Sequence, residues 1–232
     1  MLNKLKRKLE IEFKIITGRL TRIKKSIVCS YEWYGSKHGG FYVHHEHLNK
    51  DSIVYSFGLG EDISFDKTVI EKHGCNVFGF DPTPKSINWL KNQQLPDNFT
   101  LLEYGLDSTT GFRNFNLPKN DQFVSGSIIK HINVDENNIV SVPMKSFIDI
   151  TTELNHKHID LLKMDIEGTE FDIFDSIFSS EVEIQQILIE IHERFFEDGK
   201  NKTLRLLALL KRNGYKIFGV SDSMQEISFI KM

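Results

Sequence analysis

Residues 52–62 read SIVYSFGLGED and decide the fold of this chain. The apolar run Ser52–Phe57 predicts a buried strand, and the turn Gly58-Leu59-Gly60 follows it directly. Residues Glu61–His73 then show the apolar spacing of a helix. Ligands of open α/β sheets bind at the carboxyl ends of the strands, and a glycine turn there lets a ligand approach the backbone closely. The stretch therefore predicts a ligand-binding α/β domain.

The alternation of strand and helix continues to the end of the chain. It predicts a mostly parallel sheet with helices on both faces. The last two strands are joined by about five residues, too few for a parallel crossover, so they are predicted to form an antiparallel hairpin at one sheet edge. Residues 107–145 are predicted to be irregular, with short extended pieces at Phe112–Leu117 and Val140–Met144. The further predicted strands are Val77–Phe80, Phe99–Tyr104, Ile159–Met164, Ile187–Ile191, Tyr215–Val220 and Glu226–Ile230, and the further helices are Pro84–Leu95, Ser146–Leu154, Thr169–Phe178 and Lys200–Asn213.

Composition excludes several classes of protein. The chain has 232 residues, of which 40% are hydrophobic and 26% charged, as in ordinary globular domains and unlike collagen, disordered chains or disulfide scaffolds. No apolar run approaches the ~18–20 residues that cross a bilayer. Cys29 and Cys75 are isolated and form no zinc-binding spacing. Together with the lack of a signal-peptide pattern, these features predict a cytoplasmic protein.

Charge separates the N-terminal residues from the rest. Residues 1–30 contain nine bases and two acids, a net charge of +7, whereas the remaining residues contain 20 bases and 30 acids, a net charge of −10. Residues 1–30 are predicted to form a basic amphipathic helix, because apolar residues from Leu2 to Ile27 recur every three or four positions. Three interpretations stay open: the helix packs on the body or on a second subunit, lies on an anionic membrane at its inner face, or binds RNA. The acidic body, residues 31–232, argues against a nucleic-acid groove.

The glycine turn and the acid after the second strand predict a nucleoside cofactor. Asp81 follows Gly60 by 21 residues, where an acid can accept both hydroxyls of a ribose. A dinucleotide fingerprint would place a third glycine where Ile63 stands, and Glu61 and Asp62 would repel a pyrophosphate at the helix N-terminus. These features favour S-adenosylmethionine, which carries a sulfonium and an amino group and has no phosphate.

Acidic residues and a histidine follow the next two strands. Asp165 and Glu167 flank a tight turn, and Glu190 and His192 lie two residues apart on one strand face. The acids can bind an amino group, a substrate hydroxyl or a divalent cation, or merely cap the next helix. His192 is a candidate general base at neutral pH. We predict no metal, because two adjacent acids and one histidine are a sparse set of ligands.

The motifs taken together resemble the FkbM-type S-adenosylmethionine-dependent methyltransferases. The resemblance covers about residues 31–230 and implies a class I methyltransferase fold, a Rossmann-like α/β sheet of seven strands in the order 3-2-1-4-5-7-6. It also implies O-methylation, commonly of sugars or secondary metabolites. The motifs that carry it are YGSKHGGFYV (34–43), VYSFGLGEDISFD (54–66), GFDPTP (79–84), SVPMKSFIDI (141–150) and IDLLKMDIEGTEFDIF (159–174).

The resemblance also implies roles for individual residues. Asp165, Glu167 and His192 would face the transferred methyl group as catalytic residues, and Asp165 would also touch the cofactor. The other residues implied to bind the cofactor are Gly58, Gly60 and Glu61 at its methionine part, Asp81 at its ribose, Leu106 and Asp107 beside its adenine, and Tyr34 and Gly35 closing over it.

The expected function is methylation of a hydroxyl, on a sugar of a bacterial surface glycan such as capsule or lipopolysaccharide. The expected partner is this small-molecule or glycan acceptor, with no nucleic acid, and a membrane or oligomer contact is expected through residues 1–30. The alternatives are methylation of a secondary metabolite or a nucleic acid, and a catalytically silent scaffold that binds the cofactor. Amino-group methyltransferases of nucleic acids often carry a [DN]PP[YF] loop where this chain has Asp165-Ile166-Glu167-Gly168, which counts against that alternative.

Overall fold

A computed structural model describes residues 2–118 and 134–232. In these residues the chain forms twelve strands and six α-helices. The strands are β1 (Glu32–Tyr34), β2 (Phe41–Val43), β3 (Ile53–Phe57), β4 (Asn76–Phe80), β5 (Phe99–Leu102), β6 (Gly105–Asp107), β7 (Gly111–Pro118), β8 (Val134–Ser146), β9 (His158–Met164), β10 (Glu183–Glu190), β11 (Tyr215–Val220) and β12 (Glu226–Lys231). The helices are α1 (Leu2–Ile16), α2 (Ser64–His73), α3 (Pro84–Lys91), α4 (Phe147–Glu153), α5 (Glu170–Ser179) and α6 (Gly199–Arg212).

Seven strands form the central sheet in the order β5-β4-β3-β9-β10-β12-β11. The first five are parallel to one another, whereas β12 runs antiparallel to both β10 and β11. When the seven strands of this sheet are numbered along the chain, the order is 3-2-1-4-5-7-6, which is the order that the family resemblance implied. The carboxyl ends of β3, β4, β9 and β10 therefore meet at one edge, with the glycine turn after β3 in the middle.

Both faces of this sheet are buried, which explains the continuous apolar strands. Tyr55 and Phe57 of β3 belong to the apolar cluster on one face, and Val54 belongs to the cluster on the other. Leu161 and Leu162 of β9 divide between the faces in the same way. Such strict alternation fixes the register of each strand, because a shift by one residue would exchange the two faces.

A three-stranded sheet in the order β6-β8-β7 stands beside the carboxyl edge. The prediction of an irregular segment over residues 107–145 is wrong here, because β7 and β8 pair antiparallel over most of their length. Val142 and Met144 of β8 are buried with Phe115 of β7. This pairing joins residues distant in sequence, so local preferences indicated only the two short extended pieces. Residues 119–133 of the predicted irregular segment lie outside the described residues.

Helix α1 is shorter than the apolar stripe predicts. It ends at Ile16, and Gly18 lies beyond it with a positive φ of 74°. The prediction of a helix through residue 30 is therefore wrong for residues 17–30. Ile23 instead belongs to the main apolar core, and the backbone N–H of Ser26 donates to the carbonyl of Ile217. Among the described residues, no helix combines the length and the apolar character needed to cross a membrane.

Candidate active site

A cavity of about 250 Å³ opens at the carboxyl edge of the parallel strands. The glycine turn after β3 and the residues after β4 form one side of it, and the residues after β9 form another. Phe115 and Met144 of the small sheet, together with Leu106, give it an apolar wall. The cavity thus lies where the topology of an open α/β sheet predicts a ligand.

The glycine turn is shaped by close contact with the residues after β9. Gly58 has a φ of 76°, and a Cβ atom there would lie 1.7 Å from the carbonyl oxygen of Asp165. Only glycine therefore fits at this position. The buried Lys163 donates from Nζ to the carbonyl of Gly58 at 2.7 Å. Gly60 also has a positive φ, of 55°, but a Cβ atom there would meet nothing within 4 Å.

The carboxylate of Asp81 already accepts hydrogen bonds from donors of the protein itself. Its Oδ2 accepts the backbone N–H groups of Leu59 and Gly60 at 3.1 and 2.9 Å. Its Oδ1 accepts the backbone N–H and the hydroxyl of Thr83 at 2.9 and 2.6 Å. Burial raises the pKa of Asp81, while these four hydrogen bonds act to lower it. A carboxylate accepts about four hydrogen bonds, so this side chain holds the glycine turn in place, and a ribose hydroxyl would have to displace one of the present donors.

The end of β1 and the loop that leads to β2 contribute other residues to the cavity than those that the resemblance implied. Tyr34 is buried in the apolar core, and its hydroxyl lies 2.9 Å from Nε2 of His73. Gly35 packs against Phe65 of α2, and neither residue lines the cavity. His38 and Gly39 of the same loop line it instead.

Of the two residues that the resemblance implied beside the adenine, one lies at the cavity and the other does not. Leu106 lines the cavity, whereas Asp107 does not. The carboxylate of Asp107 pairs with the guanidinium of Arg113 and accepts the backbone N–H of Ser108. Glu61 lines the cavity with an exposed side chain.

Acidic side chains after β9 and β10 gather around His192. The Nε2 atom of His192 lies 3.4 Å from Glu167, 3.5 Å from Glu190 and 3.6 Å from Asp165. Its Nδ1 atom lies 3.2 Å from Oε1 of Glu170, which also accepts the backbone N–H of His192. Asp165 and Glu167 line the cavity, whereas His192 is wholly buried behind them.

The surroundings of His192 oppose the role of general base. Burial lowers the pKa of His192, but Glu170 and the other carboxylates outweigh it and raise the pKa to about 10. Burial and the nearby Asp165 raise the pKa of Glu190 to about 8. A histidine that surrounding carboxylates stabilise in its protonated form has no free nitrogen lone pair with which to accept a proton from a substrate. The sequence interpretation missed this because it did not include Glu170 among the neighbours of His192.

Two buried charged residues that shape the site, Glu170 and Lys163, were not singled out from the sequence. Glu170 is fully buried and orients His192, and Lys163 holds the carbonyl of Gly58. Both are charged residues inside otherwise buried elements, since Lys163 interrupts the apolar strand IDLLKM and Glu170 begins α5. Charges in such places usually have a specific partner, and this is the signal that could have identified them.

Comparison with known proteins places the chain among methyltransferases. Two curated relatives, each named probable methyltransferase-like protein 24, are 26% identical over 66% of this chain (human) and 24% identical over 84% of it (rat). The chain spans only 36% and 48% of the lengths of these relatives. A crystal structure of the methyltransferase FkbM from Methylobacillus flagellatus shares the fold, with a TM-score of 0.52 at 12% identity, over 82% of this chain and 46% of that one. The family model of the methyltransferase FkbM domain matches residues 53–217, which include the carboxyl ends of β3, β4 and β9 at the cavity, and the chain therefore belongs to the FkbM methyltransferase family.

Proposed function

We propose that this methyltransferase transfers a methyl group from S-adenosylmethionine to a hydroxyl group of its acceptor. The observation that carries the proposal is the charge of the cavity. Five of the described residues that line it are acids, Glu61, Asp62, Asp81, Asp165 and Glu167, and Lys163 is the one lysine or arginine among them. A cofactor with a sulfonium and an ammonium group suits such a lining, and a dinucleotide with its phosphates does not.

The residues present fit this cofactor in two further respects. The open space beside Gly60 leaves room for a ligand against the backbone of the turn. Burial would raise the pKa of Asp62, but hydrogen bonds from Ser36 and Ser64 lower it below its ordinary value, so this carboxylate stays ionised beside the cavity. In the proposal, Asp62 and Glu61 attract the positive groups of the cofactor, and the wall formed by Leu106, Phe115 and Met144 receives its adenine.

S-adenosylmethionine supplies an electrophilic methyl carbon when it is bound. The acceptor oxygen forms the new bond to this carbon as the sulfur–carbon bond breaks, and the sulfur keeps the electron pair. The hydroxyl proton passes to a carboxylate, Asp165 or Glu167, because both line the cavity and His192 does not. Holding the acceptor oxygen in line with the methyl carbon and the sulfur should supply much of the rate.

The acceptor in this proposal is a sugar hydroxyl of a bacterial surface glycan. Its support is the resemblance of the motifs to enzymes that methylate sugars. The same acidic lining disfavours a polyanionic acceptor, so nucleic acid is not a proposed partner.

The experiment is a calorimetric titration of the full chain with S-adenosylmethionine, followed by transfer of labelled methyl to candidate sugars. Asp165→Asn and Glu167→Gln are each tested against Glu183→Gln, which makes the same kind of change at the exposed beginning of β10. Loss of the carboxylate that takes the proton should lower turnover by about 10²–10⁴-fold. Absence of cofactor binding by the unaltered chain, or full turnover in both cavity variants, would refute the proposal.

We propose in addition that α1 rests on an anionic membrane surface at the cytoplasmic side. Leu9, Phe13 and Ile16 share one face of the helix and are 62%, 61% and 80% exposed. The exposed lysines Lys6 and Lys8 lie on the same helix. A basic helix with an uncovered apolar face complements anionic lipid headgroups and the acyl boundary beneath them.

A further inference from the structure

The cluster around His192 has the spacing of a metal site. Oxygen atoms of Asp165 and Glu190 and the Nε2 atom of His192 all lie within 4.8 Å of one another. The two distances from Nε2 to these oxygens are 3.6 and 3.5 Å. Ligands about 2.0–2.2 Å from a tetrahedral ion lie about 3.4 Å apart, so the observed spacing leaves room for one ion with little movement.

Two atoms in the cluster lack the hydrogen bonds that burial demands. Neither Nε2 of His192 nor Oδ1 of Asp165 makes a hydrogen bond to any described residue, although both atoms are buried and His192 is fully enclosed. A protonated Nε2 would be expected to form at least one bond of 2.7–3.2 Å to a carboxylate. Buried polar atoms are almost always satisfied, so these two point to a missing ligand between them.

The second nitrogen of His192 is already fixed by the fold. Nδ1 faces Oε1 of Glu170 at 3.2 Å, and Oε2 of Glu170 accepts the backbone N–H of Gly168. With Nδ1–H donated to Glu170, the lone pair of Nε2 points at the carboxylates of Asp165, Glu167 and Glu190. A histidine whose other nitrogen is held by a carboxylate is the usual arrangement at metal centres.

We propose that Asp165, Glu190 and His192 bind a divalent cation, with Glu167 close enough to act as a fourth donor. Oxygen and imidazole ligands together favour Mn²⁺, Fe²⁺ or Zn²⁺ over Ca²⁺. The sequence indicated no metal because Asp165, Glu167 and His192 alone were a sparse set. The structure adds Glu190 to these ligands and Glu170 behind them.

The place of the cation relative to the cavity gives it a role, which rests on the proposed methyl transfer. Asp165 and Glu167 belong both to the cluster and to the cavity lining, so the cation would lie between His192 and the cavity. There it would bind the hydroxyl oxygen of the acceptor and hold it towards the cofactor. Binding of the cation itself depends on Asp165, Glu190 and His192, with Glu167 beside them, and does not require the cofactor.

The first test is a titration of the full chain with Mn²⁺ after chelator treatment and dialysis, with free Mn²⁺ followed by electron paramagnetic resonance. The unaltered chain should bind one equivalent. Glu190→Gln and His192→Gln should each weaken binding at least ~10-fold, since even loss of an outer partner costs about 10–100-fold. Glu183→Gln is the matched control on β10 and should bind as tightly as the unaltered chain. Equal Mn²⁺ affinity in all four proteins would overturn the proposal.

The second test uses the unaltered chain and does not depend on the folding of a variant. Pulsed electron paramagnetic resonance of bound Mn²⁺ should show coupling to a histidine nitrogen, and absence of that coupling would overturn the site. Calorimetry with S-adenosylmethionine on the metal-free chain is run in parallel. Cofactor binding without Mn²⁺ binding would reject the metal site alone, whereas Mn²⁺ binding without cofactor binding would reject the proposed cofactor alone.

Discussion

Single glycines decide whether the turn after β3 can form. Gly58 and Gly60 both have positive φ, so alanine at either position should cost about 1–2 kcal/mol for the left-handed backbone. Gly58→Ala must in addition displace the carbonyl of Asp165, from which its Cβ would lie 1.7 Å away. We expect Gly58→Ala to unfold at a distinctly lower temperature than Gly60→Ala. Gly60→Ala therefore serves as the control for the cost of a positive φ alone. Equal melting temperatures of the two variants would contradict the predicted clash between a Cβ atom at position 58 and the carbonyl of Asp165.

Asp81 should matter for stability before any ligand binds. In Asp81→Asn the amide NH₂ would face either the N–H groups of Leu59 and Gly60 or the two donors of Thr83. The donors left without an acceptor should cost about 1–3 kcal/mol each. Chemical unfolding of the ligand-free variant measures this loss. Unchanged stability combined with weaker cofactor binding would instead favour the ribose contact implied by the resemblance.

The sequence indicated at which strand ends the site residues lie, but it did not indicate their hydrogen-bond partners. Gly58, Asp81 and Asp165 end neighbouring parallel strands, and strand topology alone brings such residues together. Their hydrogen bonds depend on donors from other elements, such as Thr83 beside Asp81 and Glu170 beside His192. Local sequence patterns do not contain that information, which is why His192 was interpreted as a candidate general base.

The segment after α1 should behave as part of the folded body. The backbone N–H and hydroxyl of Thr21 donate to the buried carboxylate of Glu193 at 2.6 and 2.7 Å, and Ile23 packs in the core. A chain that begins at residue 19 keeps these contacts, and one that begins at residue 29 loses them. We expect the longer deletion to lower the melting temperature by several degrees relative to the shorter, because the buried Glu193 loses both donors of Thr21 and, among the described residues, keeps only the hydroxyl of Thr203. Equal melting temperatures would show that the segment only rests on the surface.

Strands and helices were predicted correctly where their own residues carry a recognisable apolar pattern. The strands of the parallel sheet are buried on both faces, so a continuous apolar run such as IDLLKM identifies them without knowledge of their neighbours. Strands β7 and β8 are half-exposed, as the exposure of Phe112 and Ile139 shows, and depend on pairing with each other. The apolar stripe from Leu2 to Ile27 predicted too long a helix. Its helical spacing continues past Gly18, although the backbone leaves the helical conformation there.

Residues 1–30 carry an excess of basic charge, whereas residues 31–232 carry an excess of acidic charge. An anionic membrane would attract α1 and repel the body, so the chain would be oriented with the helix towards the lipid. We expect the full chain to sediment with vesicles that contain an anionic lipid, and to be released as salt screens the attraction.

Leu9→Glu tests whether the exposed face of α1 is the part that binds, because it puts a charge into the apolar stripe. Leu204→Glu makes the same change at a 48% exposed leucine of α6 and serves as the matched control. Leu9→Glu should lose most vesicle binding, while Leu204→Glu and the unaltered chain should bind alike. A second copy of the chain could cover the same face of α1 instead of a membrane. Gel filtration of the same proteins distinguishes these two cases, because it measures the oligomeric state. A dimer that Leu9→Glu converts to a monomer, with no vesicle binding by the unaltered chain, would contradict the membrane contact and assign the face to self-association.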